Sequence, residues 1–171
     1  VSPVSVPLGQ VGSTNRGLAL GDFNGDGRPD LLGANYPWDT SVAPSALAGG
    51  FLPPVTHSGI YVPRGAEVGD FNRDGRLDAV VTSMGFGGAS VLWGDGDGGF
   101  AGASSLGLSG DGNAVVVADL DADGRLDIAL LDSTSRVQLL AGARDEGCLA
   151  PTPLPATDDV PATGDFDGDR R

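Results

Sequence analysis

One acidic motif recurs along this 171-residue chain at a nearly constant interval. The complete copies read GDFNGDGRPDL at 21–31, GDFNRDGRLDA at 69–79 and ADLDADGRLDI at 118–128, and a shortened fourth copy, GDFDGDRR, occupies 164–171. The first aspartates of the copies, Asp22, Asp70, Asp119 and Asp165, follow one another after 48, 49 and 46 residues. A period of this length predicts one supersecondary unit per copy and is typical of a four-stranded propeller blade.

The spacing of oxygen-bearing side chains within each copy predicts a cation site. These side chains stand at positions 1, 3, 5 and 9 of the motif, and glycine occupies position 6 in the three complete copies. Calcium takes about six to eight oxygen ligands, and short alternating side chains on a tight turn converge on one point, with the backbone carbonyl of position 7 as a further ligand. Glycine adopts the positive φ of such a bend at little cost. The predicted calcium ligands are Asp22, Asn24, Asp26, Arg28 (carbonyl) and Asp30; Asp70, Asn72, Asp74, Arg76 (carbonyl) and Asp78; and Asp119, Asp121, Asp123, Arg125 (carbonyl) and Asp127.

The fourth copy is a weaker candidate for the same kind of site. It keeps Asp165, Asp167 and Asp169, but Arg170 replaces the glycine of position 6. The given sequence stops at Arg171, before a position 9 ligand.

The sequence around each loop predicts strands and not the helices of an EF-hand. An EF-hand needs a bidentate glutamate at position 12, whereas Gly33, Val81 and Leu130 stand there. Short apolar runs flank the loops, which favours buried strands. We expect strands at 30–34, 78–83 and 127–131 after the loops, a variable segment, a further strand such as 90–93 or 136–141, a Gly/Asp turn at 94–99 and a last strand from about Phe100. The predicted fold is all-β, a propeller of four-stranded blades with the acidic loop between the first two strands of each blade.

These motifs, together with the turn WGDGDGGF at 93–100, resemble the FG-GAP/VCBS repeat family of calcium-binding β-propellers. That family includes the integrin α-subunit propeller, propeller lectins and many bacterial secreted or surface proteins. The resemblance implies structural calcium in each blade and ligand binding by loops on one face or between blades. It does not imply one particular ligand.

The repeat divides the chain into units of one propeller domain, 1–171. The units span about 17–64, 65–112 and 113–159, a fourth begins at 160–171, and 1–8 is expected to be the outer strand of a neighbouring blade. About three and a half blades do not close a ring, because closed propellers have about four to eight. We therefore expect the chain either to be part of a longer propeller or to pair with a second copy into a seven-bladed ring as a homodimer.

The charge balance agrees with cation binding and excludes some partners. The formal net charge is −13, from 23 acidic and 10 basic residues, while 40% of the chain is hydrophobic. No basic stripe is available to neutralise phosphates, which argues against nucleic acid. The sequence also predicts no membrane insertion, because it contains no apolar run of spanning length. Calcium loops without the twelfth-position glutamate are expected to bind modestly, which favours a secreted or cell-surface protein in millimolar calcium.

The expected function is non-enzymatic binding, adhesion or structure, with a protein or glycan as ligand. His57 is the only histidine, and no general base stands out. The alternatives are a carbohydrate-binding lectin and an accessory or catalytic propeller of a carbohydrate-active enzyme. Aromatic residues offer stacking surfaces for a sugar, and the segment 35–50 is the best candidate for a binding loop because it is long and polar. The candidate aromatic residues are Trp38, Trp93, Tyr36, Tyr61 and Phe86.

Overall fold

The computed structural model describes residues 5–9, 12–85 and 87–142, where the chain forms strands joined by turns and loops. The strands are β1 (Thr14–Gly21), β2 (Asp30–Tyr36), β3 (Asp39–Ala43), β4 (Val55–Ser58), β5 (Pro63–Gly69), β6 (Asp78–Ser83), β7 (Ala89–Gly94), β8 (Phe100–Ser105), β9 (Gly112–Ala118), β10 (Asp127–Asp132) and β11 (Val137–Leu140). This part of the chain contains no helix that is long and apolar enough to cross a membrane.

The strands form blade-like antiparallel sheets, each built from consecutive strands. Sheet 1 has the order β1-β2-β3-β4, and sheet 2 has the order β5-β6-β7-β8. Sheet 3 contains β9, β10 and β11 in the described residues, again with neighbours in chain order. The prediction of all-β, four-stranded units with the acidic loop between the first two strands is therefore confirmed for sheets 1 and 2.

Two apolar cores lie between the stacked sheets. The first core, between sheets 1 and 2, consists of Phe23, Leu32, Ala34, Val42, Ile60, Ala66, Ala79, Val81 and Leu92. The second core, between sheets 2 and 3, consists of Phe71, Val80, Ala89, Val91, Leu106, Val115, Ile128, Leu130 and Leu140. Strand β6 contributes to both, because successive side chains of a strand point to opposite faces. Strand β6 is consequently buried on both faces along its whole length, whereas β8 at the edge of sheet 2 is largely exposed.

The segment 35–50, expected to be a binding loop, has seven of its sixteen residues in strands. Asn35 and Tyr36 end β2, and Asp39–Ala43 forms β3. The polar residues of its strands suggested an exposed loop, but they form hydrogen bonds with one another inside the sheet. The Asn35 side-chain amide donates to Asp39 Oδ1 and to Ser41 Oγ, at 2.8 Å each. Hydrogen-bonded polar groups are tolerated in a buried strand.

The first residues of the chain do not continue the sheet where the structure describes them. Residues 5–8 lie outside the strands, and residues 1–4 lie outside the described part. Leu8 is nevertheless buried, and its carbonyl accepts a hydrogen bond from Ser41 Oγ at 3.0 Å. A Cβ on Gly33 would lie 3.2 Å from the Leu8 side chain, so this glycine makes room for Leu8 on sheet 1.

Asp132 organises the turn between β10 and β11, a role that the sequence did not indicate. Its Oδ1 accepts hydrogen bonds from the Thr134 hydroxyl at 2.6 Å and from the backbone N–H groups of Thr134 and Arg136 at 2.8 and 3.0 Å. The hydroxyl of Thr134 and the N–H of Arg136 lower the pKa of Asp132 to about 2. The ionised carboxylate is therefore the form that holds this turn.

We predict that Leu32→Ala lowers the free energy of unfolding by about 2 to 5 kcal/mol, because it leaves a cavity in the first core. Leu32 is fully buried there. The matched control is Leu47→Ala, which removes the same atoms from a side chain that is 89% exposed and should change stability by less than about 0.5 kcal/mol. Urea denaturation of the full chain measures both. Equal losses from the two changes would contradict the packing described above.

The Asp132 turn predicts a pH-dependent contribution to stability. Because the folded pKa lies below the ordinary value of 3.8, the contribution is complete above the unfolded pKa and is lost as the pH falls through the folded pKa. Wild type should therefore be more stable than Asp132→Asn at pH 6, and the difference should shrink between pH 4 and pH 2, at roughly the two pKa values. Urea denaturation at several pH values measures the difference. Asp97→Asn, at an exposed position, should give no such trend, and a constant difference for Asp132→Asn would argue against the assigned pKa.

Candidate metal centres

The three complete acidic motifs form loops at the same edge of their sheets. They connect β1 to β2, β5 to β6 and β9 to β10. The position 1 aspartate closes each loop by accepting two backbone N–H groups. In the first loop, Asp22 Oδ1 accepts from the N–H of Asp26 at 3.0 Å and Oδ2 accepts from the N–H of Gly27 at 2.8 Å. Asp70 and Asp119 accept the equivalent pairs in the other loops.

Positions 3 and 5 continue this pattern of hydrogen bonds. The position 3 side-chain oxygen, of Asn24 in the first loop, accepts from the position 5 N–H, and the position 5 Oδ1 accepts from the position 7 N–H. The second carboxylate oxygen of position 5 pairs with the arginine side chain of position 7, as in Asp74 and Arg76. The hydrogen bond from Arg76 lowers the pKa of Asp74 to about 2, so this carboxylate is ionised.

The position 9 aspartates are buried, unlike the others. Asp30, Asp78 and Asp127 are exposed by 0%, 0% and 1%. One carboxylate oxygen of each accepts the N–H of loop position 2, at 3.1, 3.0 and 2.7 Å in chain order. The other oxygen accepts an N–H from the residues at or just beyond the end of the third strand, at 2.8, 2.8 and 2.7 Å. Burial raises the pKa of Asp78, while its two backbone donors oppose that shift.

The loop backbone bends at two positions, of which the sequence indicated one. Position 6 has a positive φ of 80°, 83° and 81° at Gly27, Gly75 and Gly124. Position 4 is also left-handed, with φ of 61° at Arg73 and 59° at Ala122. Of the three complete loops, only the first has a glycine at position 4, Gly25 with φ of 71°. The glycine pattern therefore did not reveal this second bend, which residues with a Cβ rarely adopt.

The third loop brings together a set of carboxylates suited to a metal ion. Single carboxylate oxygens of Asp119, Asp121 and Asp127 lie within 4.8 Å of one another. Oxygen ligands of this kind are those that calcium prefers, so the residues present fit the ion that the spacing predicts. The first two loops have asparagine at position 3, which offers a neutral amide oxygen in place of the Asp121 carboxylate. The fourth candidate set, Asp165, Asp167 and Asp169, lies outside the described residues.

The loops also pack between the sheets, so their conformation depends on their neighbours. The position 2 residues Phe23 and Phe71 are buried in the two cores. A Cβ on Gly21, just before the first loop, would lie 2.6 Å from the Leu77 side chain of the second loop. Arg73 of the second loop donates a hydrogen bond to the carbonyl of Gly124 in the third. The glycine and phenylalanine of the GDF motif are therefore explained by contacts between blades.

Of the other candidate residues, Asp95 and His57 approach each other at Gly99, and Trp93 packs against the second core. Asp95 forms the expected Gly/Asp turn, since its Oδ1 accepts the N–H groups of Asp97 and Gly99 at 2.8 and 2.9 Å. His57 is partly buried against Phe100, with ring centroids 5.0 Å apart, and burial lowers its pKa. Trp93 donates from Nε1 to Ser104 Oγ at 2.9 Å and packs against the second core.

The remaining aromatic candidates lie at the opposite edge from the acidic loops. Trp38 and Tyr61 are in contact, with ring centroids 5.0 Å apart. Tyr36 lies at the end of β2, beneath the guanidinium of Arg16. Phe86 lies outside the described residues. Trp93 is therefore apart from the contact of Trp38 with Tyr61 and from the contact of Tyr36 with Arg16.

Comparison with solved structures finds a similar fold in a lectin from Agrocybe aegerita, whose structure was described as the basis of specific recognition of non-reducing terminal N-acetylglucosamine. The TM-score is 0.51 and the sequence identity is 19%, so the likeness concerns the fold alone. It covers 79% of this chain and 36% of the lectin chain, so the present chain spans little more than a third of that protein's length. Comparison with curated proteins finds no match.

The sequence matches the model of the FG-GAP-like repeat family twice, over residues 22–81 and 70–130. The two matches overlap and together cover more than half of the chain. Each match begins at the first aspartate of an acidic loop and ends just beyond the start of the strand that follows the next loop. The chain therefore belongs to the FG-GAP-like repeat family.

Proposed function

We propose that the protein is a non-enzymatic binding module of the propeller type, in which calcium held by the acidic loops stabilises the blades. The observation that carries the proposal is the convergence of the Asp119, Asp121 and Asp127 carboxylates in the third loop. The same loop hydrogen bonds recur in the first two loops. Three similar sites on successive blades suit a structural role better than a single reaction centre.

Electrostatics links calcium to folding in this proposal. Each complete loop concentrates three or four carboxylates, one of them buried. Their mutual repulsion destabilises the folded loop and is relieved by a divalent cation. An ion that binds the folded state and not the unfolded chain stabilises the fold by mass action. The loops also pack against the neighbouring blade, so an ion in one loop supports the contact between two sheets.

We further propose that the module acts outside the cell, secreted or at the cell surface. The loops lack the bidentate glutamate that completes an EF-hand, and the calcium sites of extracellular modules have dissociation constants of about 10⁻⁴ to 10⁻³ M. Such sites are filled where calcium is millimolar. A measured dissociation constant of about 10⁻⁷ M would instead match an intracellular sensor and would contradict this setting.

A glycan is the ligand class that we favour, with a protein ligand as the alternative. The specific observation is the similarity in fold to the Agrocybe aegerita lectin. On a glycan array in the presence of calcium, the protein should bind one or more glycans and leave them uncleaved. Release of shorter oligosaccharides would contradict the non-enzymatic proposal and favour a carbohydrate-active enzyme.

We predict that excess chelator lowers the melting temperature by about 5 °C or more, because it removes ions that bind only the folded loops. Differential scanning calorimetry of the full chain with and without calcium measures the shift. The control is the chelator saturated beforehand with calcium, which should leave the melting curve unchanged. Identical melting curves in free and saturated chelator would refute the calcium proposal.

We predict that Asp121→Asn weakens calcium binding at the third loop about tenfold, because it removes one of the four carboxylates there. The change gives position 3 the residue that the first two loops carry. The reciprocal change Asn72→Asp should strengthen binding at the second loop. Isothermal titration calorimetry of the full chain measures both. Asp97→Asn is the control, since it removes the same charge outside the acidic loops, and an equal loss of affinity there would point to general charge effects.

A further inference from the structure

Three large aromatic side chains remain exposed at the edge of sheet 1 opposite the acidic loops. Trp38, Tyr36 and Tyr61 are exposed by 58%, 37% and 41%. Trp38 lies in the turn between β2 and β3, and Tyr61 lies in the connection from β4 to β5. None of the three belongs to the two apolar cores of the described residues. The two apolar cores therefore do not account for these rings.

A ring contact and a backbone hydrogen bond between their chain neighbours join two of these residues. We call Trp38 and Tyr61 the aromatic platform. Their ring planes are inclined by 53° with centroids 5.0 Å apart. The N–H of Val62 donates to the carbonyl of Pro37 at 2.7 Å, so the backbone next to one ring is tied to the backbone next to the other. A preorganised platform loses little conformational entropy on binding.

Tyr36 stands two residues before Trp38 and contacts Arg16, which brings polar groups to the same sheet edge. The guanidinium carbon of Arg16 lies 4.6 Å from the centroid of the Tyr36 ring, within the range of a cation–π contact. A guanidinium carries five N–H donors, and a phenol both donates and accepts. Flat apolar faces beside such donors match a pyranose ring, which presents C–H groups on one face and hydroxyl groups around its rim.

The surroundings favour one sugar ring over a large partner. The corresponding turn of sheet 3, between β10 and β11, has only polar residues, at 133–136. In the turn between β6 and β7, the described residues are Met84, Gly85, Gly87 and Gly88. A stable protein interface buries about 800 Å² on each partner, which is much more than a few adjacent rings provide. The occupant that fits this area is a single sugar residue.

The negative charge of the protein favours a neutral sugar over charged ligands that also stack on aromatic rings. Single-stranded nucleic acids stack on such rings but need a positively charged groove for their backbone. The formal net charge of this chain is −13, and its ten basic residues form no stripe. A neutral ligand avoids this repulsion.

We propose that the aromatic platform of Trp38 and Tyr61, with Tyr36 and Arg16 at the same sheet edge, binds a neutral pyranose sugar. This inference rests on the proposed glycan-binding function and assigns it a site. It places recognition at one edge of the sheets and the candidate calcium loops at the other.

The test compares variants of the full chain on an array of neutral glycans in calcium, followed by titration of the best ligand. Trp38→Ala should weaken binding by about tenfold or more, as loss of a central aromatic contact does. Trp38→Phe should retain much of the affinity because it keeps a flat ring. Phe51→Ala is the matched control, because Phe51 is an aromatic residue with 36% exposure on the acidic-loop edge, and it should leave binding unchanged.

Trp93→Phe provides a second measurement that does not depend on a loss of binding. It leaves Trp38 as the only tryptophan of the chain. Titration with the sugar found on the array should then change the tryptophan fluorescence with the same dissociation constant as the array ligand. This readout keeps the proposal testable if Trp38→Ala does not fold.

The outcomes distinguish the site from the function. Wild-type binding that Trp38→Ala leaves intact, or a fluorescence signal that does not respond to a bound sugar, would overturn the platform while glycan binding stands. Absence of wild-type binding to every neutral sugar would overturn both the platform and the glycan proposal. Neither result bears on the calcium proposal, which the chelator experiment decides separately.

Discussion

The buried aspartate at position 9 of each loop is the interaction on which the repeat depends. Asp30, Asp78 and Asp127 use both carboxylate oxygens to accept backbone N–H groups, one from the loop and one from beyond or at the end of the third strand. A buried carboxylate is costly unless it is fully hydrogen-bonded. Because these donors come from two different connections at the same sheet edge, the aspartate fixes both, and each blade can present an ordered loop.

The same loops hold neighbouring blades together. Phe23 and Phe71 fill the space between sheets, and the absence of a side chain at Gly21 lets Leu77 of the next unit approach closely. The acidic motif is therefore a structural element and a candidate cation site at once. This explains how an ion bound to a few surface carboxylates would contribute to the stability of the whole stack, since the loop it orders is part of the contact between blades.

Antiparallel strand order places two kinds of connection at opposite edges of each blade. The connections from the first to the second strand carry the acidic loops, while the connections from the second to the third strand turn at the opposite edge. Trp38 and Tyr61 meet only at that second edge, where the turn of one hairpin and the connection to the next blade come together. A recognition site can thus vary in one unit without disturbing the carboxylates that the repeats share.

The repeated motif predicted the strands that flank the acidic loops, the position of those loops and the family, because the period, the glycines and the alternating carboxylates can all be read directly from the order of residues. The expected loop at 35–50 was wrong for residues 35–36 and 39–43, which form strands, since the buried partners of Asn35 and Ser41 become visible only when β2 and β3 pair. The roles of Asp132 and of the left-handed Arg73 and Ala122 were likewise missed. The sequence did not reveal which aspartates are buried, which glycines make room for a neighbouring blade or which aromatic rings meet, because these features arise from contacts between residues far apart along the chain.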